Sequence, residues 1–379
     1  MKIGILTLVP YDNYGGILQG FALQTVLTRL GHDASIMNTK LYNYLPIKSK
    51  LKNSVLWLIR RYILGKKELS CINPLLYLDY RVKLIKPFIK KHVNLTRKFY
   101  SKKDLENFVI SNHYEAFVVG SDQTWRPSLS PDLYHMFCDF IPKELQIKRI
   151  SYAASFGVDK NEFSQKQLNI CKPLLQRFNK VSVREKSGVR ICKDYFDVNA
   201  TQVLDPTMLL DKEDYLHLIK GYVPFNKKID LMQYVFFFND DERNVIKKVS
   251  GILGVEPVNL MTQRFLSQVY KREQLKEAQF MPVEEWIYGY SKAKFVITDS
   301  FHGTVFCIIF NVPFICVSPV AVTRFKSLLS TYGLENRLVM STKDVTENLV
   351  LSKIDWNRVN EIRQKLKTKS IDFLKEALS

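Results

Sequence analysis

The chain has 379 residues, 46% of them hydrophobic, enough for a large packed core and, at roughly 150 residues per domain, for two domains. Its charge is lopsided: 56 Lys and Arg against 37 Asp and Glu give a formal net charge of +19, which suits anionic partners such as nucleic acid, lipid headgroups or phosphorylated small molecules. The six cysteines have no C-x-x-C spacing, which excludes a zinc ribbon.

Those cysteines sit among apolar neighbours and read as reduced core residues of a cytoplasmic protein. The opening run Ile3 to Val9 meets Pro10-Tyr11-Asp12-Asn13 with no small-residue cleavage site, so no secretory leader is expected. No stretch reaches the roughly 18 apolar residues of a membrane span. The sequon Asn94-Leu95-Thr96 is one by pattern only.

Lys2 to Val9 predicts a buried strand, Ile17 to Leu30 an amphipathic helix ending at Gly31, and Asp33 to Asn38 a second strand. This is a βαβ opening with Gly15-Gly16 at the helix start. Residues 40–112 are Lys-rich, aromatic and predicted mainly helical, with candidates at Ser54 to Gly65 and Tyr77 to His92; they read as an insertion. Alternation resumes with strands at Ala116 to Val119, Arg149 to Ser155, Val181 to Val183 and Gln202 to Leu204.

After a linker at 220–228 a second alternating unit follows. It has strands at Ile229 to Phe238, Val255 to Leu260, Phe295 to Thr298 and Pro313 to Val317, interleaved with helices, and a long last helix from Asp355 to Leu378. The pattern predicts an α/β fold of two Rossmann-like domains facing across a cleft. The expected bounds are 1–220 with the insertion, 221–350, and a C-terminal helix at 351–379 that packs back on the body. No internal repeat is visible.

Polar and glycine residues cluster after the strands, where open α/β sheets bind ligands. Ile297-Thr298-Asp299-Ser300-Phe301-His302-Gly303-Thr304 carries a His into a strand-to-helix turn, where it either transfers protons or simply caps its helix. Arg184 can grip an anion with its fork, or pair with Glu185 or Asp205. Gly15 and Gly16 admit an oxyanion to a helix N-terminus, or make a tight turn. Asp122 could accept a proton or cap a helix. Trp125 could stack on a ligand or fill the core, and Arg324 and Arg264 could add positive charge or lie exposed.

These segments, in this order, resemble the polysaccharide pyruvyl transferase family. The His302 turn is its hallmark. Asn13-Tyr14-Gly15-Gly16-Ile17-Leu18-Gln19, Val119-Gly120-Ser121-Asp122-Gln123-Thr124-Trp125, Ser151 to Gly157, Ser182-Val183-Arg184-Glu185, Val203-Leu204-Asp205-Pro206, Glu285-Trp286 and Arg324-Phe325 extend it over residues 1 to about 335.

The resemblance implies a GT-B glycosyltransferase-like architecture and the transfer of the enolpyruvyl group of phosphoenolpyruvate onto a sugar hydroxyl pair as a ketal. It implies His302 as general acid, with Asp122 beside it, and Arg184 as a donor-binding arginine. Ser300, Gly303, Thr304 and Arg324 fall on the donor side. Asn13, Gly15, Gly16, Gln19, Ser121, Gln123 and Trp125 fall in the acceptor or anion loops. Some members carry Arg at the position of Ser300, so here either another cation completes the donor site or the donor is bound differently. The contrasting expectation is a non-catalytic or altered-donor member that binds polysaccharide during assembly. No metal and no cofactor are expected.

The basic excess has two further readings. Nucleic acid is disfavoured, because the lysines are dispersed and no binding motif is present. Residues 48–103 combine Lys48, Lys50, Lys52, Arg60, Arg61, Lys66 and Lys67 with Leu56, Trp57, Leu58, Ile63 and Leu64. That mixture suits a helix lying on an anionic membrane, or else a helix covering its own core.

Overall fold

The computed structural model describes all residues except 40–46, 67–69, 74–76, 131–132, 226–227, 237–239, 263–265 and 319–321, and it leaves the side chains of 47–52 and 322 undescribed. Arg264 and Lys67 therefore lie outside the described residues.

The first sheet has seven parallel strands: β1 (Lys2–Leu6), β2 (Asp33–Asn38), β3 (Leu95–Lys98), β4 (Ala116–Val119), β5 (Lys148–Ala154), β6 (Lys180–Val183) and β7 (Thr201–Gln202), in the order β3-β2-β1-β4-β5-β6-β7. The second has five: β8 (Leu231–Tyr234), β9 (Pro257–Asn259), β10 (Phe295–Thr298), β11 (Phe314–Val317) and β12 (Leu338–Val339), in the order β12-β11-β10-β8-β9. The central strands β4 and β10 are buried at every residue, as parallel strands covered on both faces must be.

The helices of the first half are α1 (Tyr14–Arg29), α2 (Ile47–Leu58), α3 (Leu78–Arg81), α4 (Lys86–His92), α5 (Lys102–Ser111), α6 (Gln165–Leu175), α7 (Lys186–Phe196) and α8 (Lys212–Leu218). Those of the second are α9 (Asp240–Leu253), α10 (Val283–Lys292), α11 (Phe301–Phe310), α12 (Val322–Tyr332), α13 (Glu347–Leu351) and α14 (Trp356–Leu378). All ten residues of α11 are buried, which fits its almost wholly apolar sequence.

Helix α14 returns to the first domain. The Arg363 guanidinium donates to the Leu210 carbonyl at 2.7 Å, and the Leu204 N–H donates to the Ser370 hydroxyl at 3.0 Å. Phe373, Leu374, Ala377 and Leu378 are buried there.

The region expected to be a helical insertion is partly sheet. Leu95–Lys98 pairs with β2 as an edge strand, and α5 follows it as a regular crossover. Its sequence LTRK buries too little to show the apolar run of a core strand. The single helix expected from Tyr77 to His92 is two, α3 and α4. Pro87 opens the second, where its missing N–H does no harm, and the residue before a proline is biased away from helix.

In each sheet the strand order reverses once, between β1 and β4 and between β8 and β10. Ligands of open α/β sheets bind outside the strand carboxyl ends at such points. Here the two reversals face one another.

Candidate active site

The first turn of α1 meets the first turn of α11 across the domain boundary. Asn13 caps α1 by accepting from the Gly16 N–H at 3.2 Å. The Tyr14 ring stacks on Trp286, with centroids 5.7 Å apart and planes at 20°, and its hydroxyl donates to the Met281 carbonyl at 2.9 Å. A Cβ added at Gly15 would overlap the His302 imidazole at Cγ and Nδ1, so the closeness of the two turns dictates that glycine. Gly16 has no such neighbour closer than 3.7 Å and serves as an ordinary first-turn residue.

The His302 turn is built from its own hydroxyls. Thr298 Oγ1 donates to the Tyr234 carbonyl at 2.7 Å and accepts from the Ser300 N–H at 3.0 Å. Ser300 caps α11 by accepting from the Gly303 N–H at 3.2 Å. Thr304 is fully buried and donates to the Ser300 carbonyl at 3.1 Å, while a Cβ at Gly303 would overlap Thr298. The side chains of Ser300 and Thr304 thus bond within the turn that presents His302 rather than reaching toward a ligand.

Asp205 is the hub of the cluster. It lies just after β7 and accepts from the Thr207 N–H at 3.0 Å and the Thr207 hydroxyl at 2.7 Å. Its Oδ2 is 3.0 Å from Arg184 Nη1, 3.4 Å from Ser121 Oγ and 3.5 Å from His302 Nε2. That last pair is close enough for ion pairing, although Nε2 has no hydrogen-bond partner among the described residues. Burial works against the Asp205 charge, but His302, Arg184 and Thr207 outweigh it and hold the carboxyl well below the usual carboxylate range.

Arg184 follows β6 and is 5% exposed. Its Nε donates to Glu185 at 2.8 Å, its Nη1 reaches Asp205 and lies 3.5 Å from Asp122, and its carbon centre stands 4.0 Å over the Phe301 ring. Burial opposes the charge, but Glu185, Asp122 and Asp205 more than compensate and raise its pKa. Nη2 alone is buried without a partner among the described residues. Arg184 is thus paired with carboxylates, the second of its two readings from sequence, and leaves one nitrogen rather than a fork unpaired among the described residues.

Arg324 on α12 faces the same cluster. Burial and the like charge of Arg184 lower its pKa, against the pull of Asp122 and Glu185. Its Nε is buried without an acceptor among the described residues. A cavity of about 410 Å³ opens beside these groups, lined by Arg184, Asp205, Phe301, Arg324, Tyr332 and Lys369 among others.

The remaining candidates separate. Asp122 is buried at φ +66°, with its carboxylate toward Arg184. Ser121 donates to the Ala153 carbonyl at 2.6 Å. Gln19 is fully buried behind the turn and accepts from the Thr7 hydroxyl at 2.9 Å, while its Nε2 is buried without a partner among the described residues. Gln123 accepts from Arg126 at 3.0 Å.

Trp125 corrects an expectation. It is fully buried, its Nε1 donates to the Met136 carbonyl at 2.8 Å, and it stacks on Phe137 at 5.3 Å, leaving no face for a sugar. Asp205, Glu185 and Phe301 join the cluster although the sequence reading placed none of them in the site. The signal for Asp205 was present: an Asp-Pro directly after a strand, at a carboxyl end of the sheet.

All six cysteines are unpaired, and burial pushes the thiols of Cys171 and Cys192 up to about 12. Among the described residues no group of three His, Cys, Asp or Glu side chains is placed to hold a metal.

Two doubly wound domains whose strand carboxyl ends enclose a polar cleft define a GT-B-type protein. Solved structures agree. The UDP-N-acetylglucosamine 2-epimerase of Rickettsia bellii aligns with a TM-score of 0.51 at 11% identity, over 99% of this chain and 96% of its own. The UDP-GlcNAc 2-epimerase of Neisseria meningitidis aligns at 0.50 and 9%, over 100% and 99%. That of Methanocaldococcus jannaschii aligns at 0.50 and 11%, over 97% and 100%. At such identities the likeness is one of fold. No curated protein sequence matches the chain.

The family model for polysaccharide pyruvyl transferase matches residues 13–319, and the chain belongs to that family. It is by that membership a transferase of polysaccharide biosynthesis with a sugar or polysaccharide acceptor.

Proposed function

We propose that this protein transfers the enolpyruvyl group of phosphoenolpyruvate to two hydroxyls of one sugar, forming a pyruvate ketal and releasing inorganic phosphate, with no bound cofactor. The observation that carries the reading is the approach of His302 to Asp205 beside Arg184 and Arg324. A proton donor and cations are needed together by a donor that bears a phosphate and a carboxylate.

In this scheme His302 protonates the methylene carbon. A sugar hydroxyl adds to the adjacent carbon and gives its proton to Asp122. The carbon–oxygen bond to phosphate breaks, and the second hydroxyl closes the ketal, its proton leaving with the phosphate. Arg324, Arg184 Nη2 and the N–H groups opening α1 and α11 receive the anionic groups; helix starts favour negative charge. Arg324 takes the part of the cation missing at Ser300.

Phosphate release from phosphoenolpyruvate across a panel of sugar and lipid-linked oligosaccharide acceptors tests this. Acceptor-dependent release supports it. Tight acceptor binding with no release from any acceptor would instead favour a binding protein of polysaccharide assembly.

A further inference from the structure

We propose that residues 55–66 form a docking surface for an anionic lipid bilayer. The end of α2 and the π turn Ile59–Ile63 that continues it carry Val55, Leu58, Tyr62, Ile63 and Leu64 at 51%, 47%, 66%, 75% and 62% exposure. Surface apolar residues are normal when scattered; here they are contiguous and belong to one helical segment.

Covering a core was the other reading of this stretch, but no residue of the π turn is buried. Between residues 47 and 67 there are seven Lys and Arg and no Asp or Glu. A surface that joins exposed Ile, Leu and Tyr to the exposed cations Arg60 and Lys66, in so basic a stretch of sequence, is complementary to lipid headgroups over acyl chains, and it repels a second copy of itself. No helix among the described residues is long and apolar enough to cross a membrane, so the contact is one of lying on the surface.

The segment is fastened rather than dangling. Asn73 Nδ2 donates to Ser54 Oγ at 2.7 Å, and Ser70 Oγ and the Cys71 N–H donate to the Val269 carbonyl at 2.8 and 2.6 Å. The same stretch of the second domain continues to Phe280, under Arg81 at 4.5 Å, and to Met281, which receives the Tyr14 hydroxyl beside the glycine turn. The docking surface is thus braced on the elements that close the cleft. It stands on exposure and charge alone, whether or not the pyruvyl transfer does.

Sedimentation of the full-length protein with phosphatidylcholine vesicles, with and without phosphatidylglycerol, is the test. Binding is expected only to the anionic vesicles. Arg60→Glu with Lys66→Glu reverses two charges at about fivefold in partitioning per unit charge, so binding should fall on the order of 100-fold or more. Ile63→Ser with Leu64→Ser removes exposed apolar area and should lower binding at least tenfold even at low salt, with an unchanged thermal midpoint. Sedimentation with neither vesicle overturns the proposal. So does unchanged vesicle binding by the Ser variant, or a wild-type dimer that the Ser variant converts to monomer.

Discussion

His302 Nε2 and Asp205 Oδ2 stand 3.5 Å apart across the domain boundary, with His302 5% and Asp205 2% exposed. The first domain thereby supplies a carboxylate to a histidine of the second, and the pair exists only when the cleft is assembled. Asp205→Asn keeps the shape and removes the charge. We expect turnover to fall about 100-fold, within the range of a disabled acid–base pair, while acceptor KM changes little. Equal losses in KM and kcat would point to a damaged cleft instead.

The same residue should shape acid stability. Its folded-state pKa is depressed, so it stabilises the fold above the unfolded value of about 3.9 and ceases to do so as pH falls toward the folded value. Thermal midpoints should therefore drop below about pH 4 in the wild type and drop less steeply in Asp205→Asn. Parallel pH curves would remove Asp205 from the account.

Gly15 and His302 are predicted to be coupled. Gly15→Ala forces a methyl against the imidazole and should destabilise by about 1–3 kcal/mol, the usual range of overpacking. In a His302→Ala background that penalty should vanish, giving a large coupling in a double-mutant cycle. Additive effects would mean that the two turns do not touch as described.

The two arginines should behave differently. Arg184→Ala strands Asp122, Glu185 and Asp205 in a buried cluster and should cost about 3–5 kcal/mol of stability along with activity. Arg324→Ala should weaken phosphoenolpyruvate binding at least tenfold by calorimetry with a much smaller stability loss. Similar unfolding midpoints for the two variants would contradict the geometry.

Much of this was legible in the sequence, for physical reasons. The limits of β2, β4 and β10 were read to the residue, those of β4 and β10 because buried parallel strands are apolar runs cut off by polar turns. The edge strand β3 was not, since LTRK is half solvated and looks like loop. The strand-to-helix turns placed His302 and Gly15, but their contact is tertiary, and no local pattern reports it. Asp205 went unread as a site residue because its importance lies in four partners, Thr207, Arg184, Ser121 and His302, which are spread along the chain. Trp125 misled for the opposite reason: a Trp in a conspicuous loop motif serves the core.

The most direct measurement of the central claim is acceptor-dependent phosphate release from phosphoenolpyruvate by wild type and His302→Ala, with the ketal product identified by mass. The account predicts release by the wild type and a loss of about 10²–10⁴-fold in a His302→Ala protein that remains folded at the assay temperature. Release at near wild-type rate without the imidazole, or none from the wild type with any acceptor, would contradict it.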